Sequence, residues 1–251
     1  MSIDYPKPGQ EAALGELWRL AFGDSVAFIR GFFATGYERD CCRCVTLDGR
    51  IAAGLYWFDG EAKGERLAYL YGVATHPDFR NRGLCRMLME DTHRVLAERG
   101  YDGAMLNPAE PGLRRMYEGM GYETCCTVSE FRCMAGESVA VRKIGREEYG
   151  ALRRRFLPRD GVIQEGRNLA YLETFAQFYA GEDFLLAGAS DEDGFRGAEL
   201  LGNREAAPGI LGALGYRKGV FRTPGEERPF AMFRGLKEGA ERPGYFGLVM
   251  D

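Results

Sequence analysis

The chain has 251 residues, 45% hydrophobic and 28% charged, the proportions of a folded globular protein and longer than one small core requires, so two packed units are expected. Its 33 basic and 37 acidic side chains leave a net charge of -4, spread evenly: residues 1–136 carry 16 basic and 19 acidic groups, and residues 137–251 carry 17 and 18. Chains that wrap nucleic acid or lie on anionic lipid concentrate basic charge, which sets both partners aside.

Met1 to Gln10 is polar, with Pro6, Pro8 and Gly9, and has neither the basic lead nor the apolar stretch of a signal peptide. Runs such as Ile51–Phe58 are too short to span a bilayer, so a cytoplasmic location is expected. Leu14, Leu17, Trp18 and Ala21 share one face of a helix over Gln10–Ala21, and a second helix through Val26, Ile29, Arg30 and Phe33 follows Asp24, a candidate N-cap. Three strands come next, Cys42–Leu47, Ile51–Phe58 and Arg66–Ala74, the first two joined by the turn pair Asp48-Gly49. A long helix runs from Gly83 to Arg99 with Leu84, Met87, Leu88, Val95 and Leu96 on its buried stripe and Gly100 at its end. A strand at Ala104–Leu106, a short helix at Leu113–Met120 and a strand near Thr127–Phe131 complete the half. A right-handed crossover places the strands before and after the long helix side by side, in parallel.

Met134 to Ser138 reads as a boundary, giving units of 1–134 and 135–251. The second begins with a strand at Val139–Arg142, a helix near Arg146–Phe156 and an aromatic helix from Asn168 to Tyr179. Strands at Phe184–Ala189 and Gly197–Leu201, a helix at Ala206–Leu214 and late strands at Pro229–Phe233 and Tyr245–Val249 follow. This order partly repeats the first half.

Seven cysteines fall as Cys41, Cys42, Cys44; Cys125, Cys126, Cys133; and Cys85 alone. Neither cluster has the two-residue spacer of a zinc knuckle, and His76 and His93 lie far from both, so small apolar fillers are favoured over a metal site.

The segment Val73-Ala74-Thr75-His76-Pro77-Asp78-Phe79-Arg80-Asn81-Arg82-Gly83-Leu84-Cys85-Arg86 carries chemistry. A strand ends at a proline, a loop bears two arginines, and a glycine opens a helix whose first N–H groups are free at its positive end. Such a place suits a diphosphate. It lacks both the G-x-G-x-x-G of a dinucleotide site and the Gly-Lys-Ser/Thr ending of a phosphate loop. On their own, Arg80, Arg82 and Arg86 also fit a solvated helix start.

Arg80-Asn81-Arg82-Gly83-Leu84-Cys85 resembles the Gln/Arg-x-x-Gly-x-Gly/Ala signature of the GCN5-related N-acetyltransferases (GNAT family), with Val73, Pro77, Phe79, Met87 and Leu88 as matching flanks. Cys85 departs from the usual Gly or Ala. Leu113-Arg114-Arg115-Met116-Tyr117-Glu118-Gly119-Met120-Gly121-Tyr122 resembles the family's Ala-x-x-Leu-Tyr-x-x-x-Gly-Phe close, with Glu110 where asparagine is common. The resemblance spans roughly Trp18 to Phe131. It implies an α/β (α+β) fold with a mixed, mostly antiparallel sheet flanked by helices.

The resemblance further implies acetyl-CoA as cosubstrate, bound by Gly72, Val73, Arg80, Asn81, Arg82, Gly83, Leu84, Cys85 and Arg86, with no metal. It implies transfer to an amine of a small molecule or peptide by direct attack in a ternary complex, with Tyr117 as the general acid for the leaving thiolate. Tyr117 by itself also fits a core aromatic. No protein nucleophile is needed, so Cys85 is not cast as one, although a helix start can lower a thiol pKa. The base is unassigned: the preceding strand offers Tyr69 and Tyr71 but no acid, Glu38, Glu110 and His76 are weak candidates, and His93, in the middle of the long helix, reads as a helix-face residue rather than a base. Trp18, Phe22, Phe28 and Phe32 are either core or the lining of an acceptor pocket.

In the second half, Asn203 to Tyr216 resembles the closing element of the same family, with Leu211 at the place of Tyr117 and no Arg-x-x-Gly-x-Gly/Ala before it. A degenerate second GNAT-like domain is expected, closing the acceptor pocket or forming a homodimer surface. Its loop Asp191-Glu192-Asp193 is a solvated turn or a lure for a cationic amine. Two rivals to the transferase stay open: a non-catalytic acyl-CoA sensor or interaction protein, and a nest for another phosphorylated ligand such as a nucleotide.

Overall fold

The computed structural model describes residues 1–250. It is a mixed α/β protein with two mostly antiparallel sheets of seven strands, each flanked by helices. The chain divides into two compact units: the first holds residues 1–106, 110–123 and 233–241, and the second the rest of the described residues. The sequence boundary at 134 groups Thr127–Met134 with the first half; in the structure this strand pairs within the second sheet, and a late strand joins the first. No helix among the described residues is long and apolar enough to cross a membrane.

Numbered along the chain, the first sheet takes β1 (Ser2–Asp4), β2 (Cys42–Leu47), β3 (Arg50–Ala62), β4 (Glu65–Thr75) and β5 (Gly103–Leu106) side by side. Beyond β5 come the late strand Met232–Gly235 (β14) and then β6 (Glu123–Thr124). Asp48 and Gly49 turn β2 into β3 with φ of 48° and 78°, the double left-handed geometry that suits a twisted hairpin. Lys63 and Gly64 repeat it at 54° and 76°, so the β3/β4 ladder continues to Ala62↔Glu65, past the expected end of β3 at Phe58.

Helix α1 (Glu11–Phe22) buries Leu14, Leu17 and Trp18, and α2 (Val26–Gly31) follows. The cap of α2 is Ser25, whose Oγ accepts the Phe28 N–H at 3.2 Å; Asp24 instead accepts the Trp18 indole N–H at 2.7 Å. Trp18 and Phe32 are core, their ring centroids 4.7 Å apart, whereas Phe22 is exposed. The long helix α3 (Leu84–Glu98) leads into β5, and β4 and β5 are parallel as the crossover rule requires. Its buried face includes Met89, Thr92 and His93, while Met87 is only half-buried. Helix α4 (Leu113–Glu118) follows β5. Cys41, Cys42, Cys44 and Cys126 are buried, and burial pushes the Cys42 and Cys44 thiols up.

The second unit holds β7 (Thr127–Met134), β8 (Arg142–Ile144), α5 (Arg146–Phe156), α6 (Arg167–Leu172), β9 (Gln177–Ala180), β10 (Phe184–Asp191), β11 (Gly194–Gly202), α7 (Ala207–Leu214), β12 (Lys218–Pro224) and β13 (Arg228–Pro229). The expected aromatic helix stops at Leu172. Phe178 and Tyr179 lie on β9 instead, where Phe178 stacks on Tyr149 at 4.3 Å; aromatic side chains suit a pleated surface better than the end of a helix. Helix α7 connects the parallel strands β11 and β12, the topological place of α3 rather than that of α4, with which the sequence aligned it.

Tyr245–Val249 is no ladder strand: it makes one parallel bridge, Gly161↔Tyr245, yet is fully buried. Val162 N donates to Tyr245 O at 2.8 Å, and side chains reach two further carbonyls, Gln164 donating to Leu248 O at 2.8 Å and Arg222 to Gly247 O at 3.5 Å. Nearby, Arg153 and Glu199 form a buried bidentate pair at 2.6 and 2.9 Å, with Tyr149 donating to Glu199 at 3.1 Å and Arg153 also serving Val162 O at 2.9 Å. Such a pair tolerates burial only when its remaining donors and acceptors are also met.

Candidate active site

The expected cofactor residues all belong to the first unit, at the end of β4 and the start of α3. Tyr56 pairs with Tyr71 and Gly54 with Ala74, so Leu55 faces two residues, Gly72 and Val73. This is a β-bulge, which bends the strand and re-aims its backbone. Gly72 has φ +59, and a Cβ there would lie 3.0 Å from the Tyr56 ring and 3.4 Å from Trp18. Conformation and space both require glycine. The parallel ladder ends at Tyr69↔Met105 while β4 runs on to Thr75, so this part of β4 extends beyond its pairing with β5.

The loop to α3 turns through Asn81 and Gly83, with φ of 60° and 74°. At Gly83 an added Cβ would meet nothing within 4 Å, so the glycine answers a backbone need and leaves open space. It caps α3 without a side-chain hydrogen bond, the first turn holds no acidic residue, and the first intrahelical bond runs from Met87 N to Gly83 O at 3.1 Å. The N–H groups of Leu84, Cys85 and Arg86 therefore stand at the positive end of the dipole without intrahelical acceptors. The Leu84 side chain is buried in the core, so only its backbone faces the opening.

Arg80 and Arg82 are exposed, and each spends one donor on the loop, Arg80 to Thr75 O at 3.4 Å and Arg82 to Asp78 O at 3.2 Å. A guanidinium has five N–H donors, so most remain. Sequence reasoning missed Arg50, which the β2/β3 turn brings here: its guanidinium lies 5.2 Å from the Phe79 ring centroid, and that of Arg82 lies 5.4 Å from the same ring. Nothing in the local sequence around Arg50 signals this. The free amides, the open glycine and the arginines fit a diphosphate such as that of coenzyme A.

Tyr117 is 6% exposed on α4. Burial, and secondarily nearness to Cys85, pushes its hydroxyl pKa up, so it keeps its proton throughout the neutral range. Its ring meets Tyr122 edge-on at 5.8 Å, and the Tyr122 hydroxyl is 2.7 Å from His93 Nε2. His93 is thus a buried core group on the inward face of α3. Burial and the Arg234 charge lower its pKa to about 3. Cys85 is half-buried, and desolvation raises its thiol against the opposing Arg86 charge, so the helix start does not make it acidic. Of the base candidates, His76 uses Nδ1 to accept the Asp78 N–H at 3.2 Å, and Glu38 and Glu110 are exposed. Among the described residues no three His, Cys, Asp or Glu side chains converge as a metal-binding group.

Over nearly the whole chain the fold is that of known acyltransferase structures. The GCN5-related N-acetyltransferase from Kribbella flavida superimposes with a TM-score of 0.70 at 18% identity, covering 95% of this chain and 73% of that one. That from Anabaena variabilis gives 0.70 at 15%, covering 94% and 73%, and Eis1 from Mycobacterium abscessus 0.70 at 13%, covering 94% and 74%. No match is found among curated proteins. A family model for the acetyltransferase (GNAT) domain matches residues 2–125, the span that carries the β4 bulge, the α3 nest and Tyr117. Over those residues the chain belongs to the GNAT acetyltransferase family.

Proposed function

We propose that the protein is an N-acetyltransferase that uses acetyl-CoA and acts on an amine of a small molecule or peptide. The observation that carries this is the meeting, in one unit, of an anion nest at α3, a bulged strand edge at β4 and a buried, protonated Tyr117 close to Cys85. Acetyl-CoA supplies the activated thioester. Arg80, Arg82 and the amides of Leu84, Cys85 and Arg86 hold the diphosphate, and the backbone of Gly72 and Val73 aligns the arm that carries the acyl group. In the transfer a C–N bond forms as the C–S bond breaks, the amine loses a proton and the thiolate gains one. Tyr117 gives the thiolate that proton; burial pushes its hydroxyl pKa above the tyrosine's ordinary value, and the group is protonated at neutral pH.

The test is thiol release from acetyl-CoA with polyamines, aminoglycosides, amino acids and short peptides as acceptors, alongside calorimetry with coenzyme A. An acceptor-dependent rate is expected, and Tyr117→Phe should lower kcat roughly tenfold to hundredfold with coenzyme A affinity little changed. Binding without turnover on any acceptor would favour a sensor. Binding of nucleoside triphosphates in place of coenzyme A would overturn the cofactor reading.

A further inference from the structure

The short helix that carries Tyr117 ends in a turn that closes on the Tyr117 carbonyl: Met120 N donates to it at 2.9 Å and Tyr122 N at 3.1 Å. This turn leaves the carbonyls of Gly119 and Met120 pointing outward, as helix ends do. Both are taken by guanidinium groups. Arg86 Nη1 donates to Gly119 O at 3.0 Å, and Arg234 Nη1 donates to Met120 O. The Arg86 guanidinium also packs on the Gly119 backbone, since a Cβ at Gly119 would lie 3.5 Å from Arg86 Nη2. Six residues of helix are marginal without tertiary support.

Arg86 stands in the first turn of α3, the turn whose amides form the anion nest. Its amide faces the nest, but its side chain crosses to the end of α4 and reaches Glu90 only at 3.9 Å. One helical turn therefore holds both the diphosphate end of the site and the segment that carries its acid.

We propose that Arg86 is a positioning residue rather than a phosphate ligand: its bond to Gly119 O registers the Tyr117 helix against the first turn of α3, so that the Tyr117 hydroxyl meets the departing thiol. This rests on the function proposed above for Tyr117. Misplacing a reacting group by a fraction of an ångström lowers the rate while leaving distant binding contacts intact.

Arg86→Ala is expected to lower kcat about tenfold and to leave the coenzyme A dissociation constant within about twofold of wild type. Arg86→Lys, which can still reach a carbonyl with one donor, should recover part of the rate. In a Tyr117→Phe background Arg86→Ala should have almost no further effect, because the group it positions is gone. An effect of full size in that background, or a large loss of coenzyme A affinity with kcat intact, would overturn the proposal. A second readout needs no turnover. In protein labelled with 13C at tyrosine Cζ, the resonance that disappears in Tyr117→Phe should move in Arg86→Ala and return in Arg86→Lys. A resonance that stays put refutes the positioning role even if no acceptor is ever turned over, whereas failure of the wild type to transfer acetyl groups, with the resonance responding as expected, refutes only the transferase reading.

Discussion

His93 lies 5% exposed on α3, with Nε2 bonded to the Tyr122 hydroxyl and its charged form opposed by burial and by Arg234. Its ordinary pKa of 6.5 falls to about 3 in the folded protein. A lowered folded-state pKa means that the unfolded chain takes up the proton first. The stability His93 contributes is complete above its ordinary value and is lost as pH falls from there toward the folded value. Between about pH 7.5 and about pH 5 the linkage relation gives a loss of about 2 kcal/mol, set almost wholly by the unfolded-state value. His93→Gln keeps a partner for Tyr122 and cannot titrate, so its stability should fall less over this range, by that same amount. Urea unfolding followed by tryptophan fluorescence measures it, because both tryptophans, Trp18 and Trp57, lie in the first unit. Carboxylates titrate alike in both proteins and cancel. Parallel pH dependence in wild type and variant would refute the assignment of His93 as a buried neutral group.

Gly72→Ala forces an L side chain to φ +59 with its Cβ 3.0 Å from the Tyr56 ring. A cost of about 1–2 kcal/mol and a fall of about 5 °C in the first unit's thermal transition are expected, read by the same fluorescence. Calorimetry should find one coenzyme A per chain, and Arg82→Ala should weaken that single site roughly tenfold, as loss of charge-assisted phosphate bonds does. Two sites per chain, or an unchanged affinity in Arg82→Ala, would place the cofactor elsewhere.

Local patterns carried the first unit. Asp48-Gly49, the stripe on α3 except Met87, and the Arg80–Cys85 turn each depend on neighbours in sequence, and each is found where periodicity and turn chemistry put it. Long-range contacts were not legible. Arg234 reaches the Tyr117 helix from more than a hundred residues away, and Arg50 reaches Phe79 through a hairpin; neither carries a local signature. His93 sits at helical spacing on α3, but only the tertiary contact with Tyr122 shows that it points inward. Tyr245–Val249 is a short apolar run that reads as a strand, yet its carbonyls are met by Val162 N and by the Arg222 and Gln164 side chains, which no pattern within the segment reveals.

Where a parallel pair of strands diverges, backbone groups lose their ladder partners and must find others. Each unit contains such a pair, β4 with β5 and β11 with β12, and the solutions differ. In the first, β4 runs beyond Tyr69↔Met105 toward an uncapped helix and an open glycine, which leaves donors for a ligand. In the second, pairing ends at Gly197↔Phe221, and the chain supplies the partners itself: Arg222 donates to Ala198 O at 3.4 Å and to Gly247 O at 3.5 Å. Glu199 is bound by Arg153, and a Cβ on Gly247 would lie 3.1 Å from Glu199, so residues 245–248 fill the divergence. The crossover helix is closed as well. A Cβ on Gly209 would lie 2.5 Å from the Val139 side chain and one on Gly212 2.4 Å from Gly136 O, and Pro208 removes an amide from the first turn of α7. Space and strand edge that stay open in the first unit are thus filled from within the second, which is the physical ground for expecting one acyl carrier per chain, bound in the first unit.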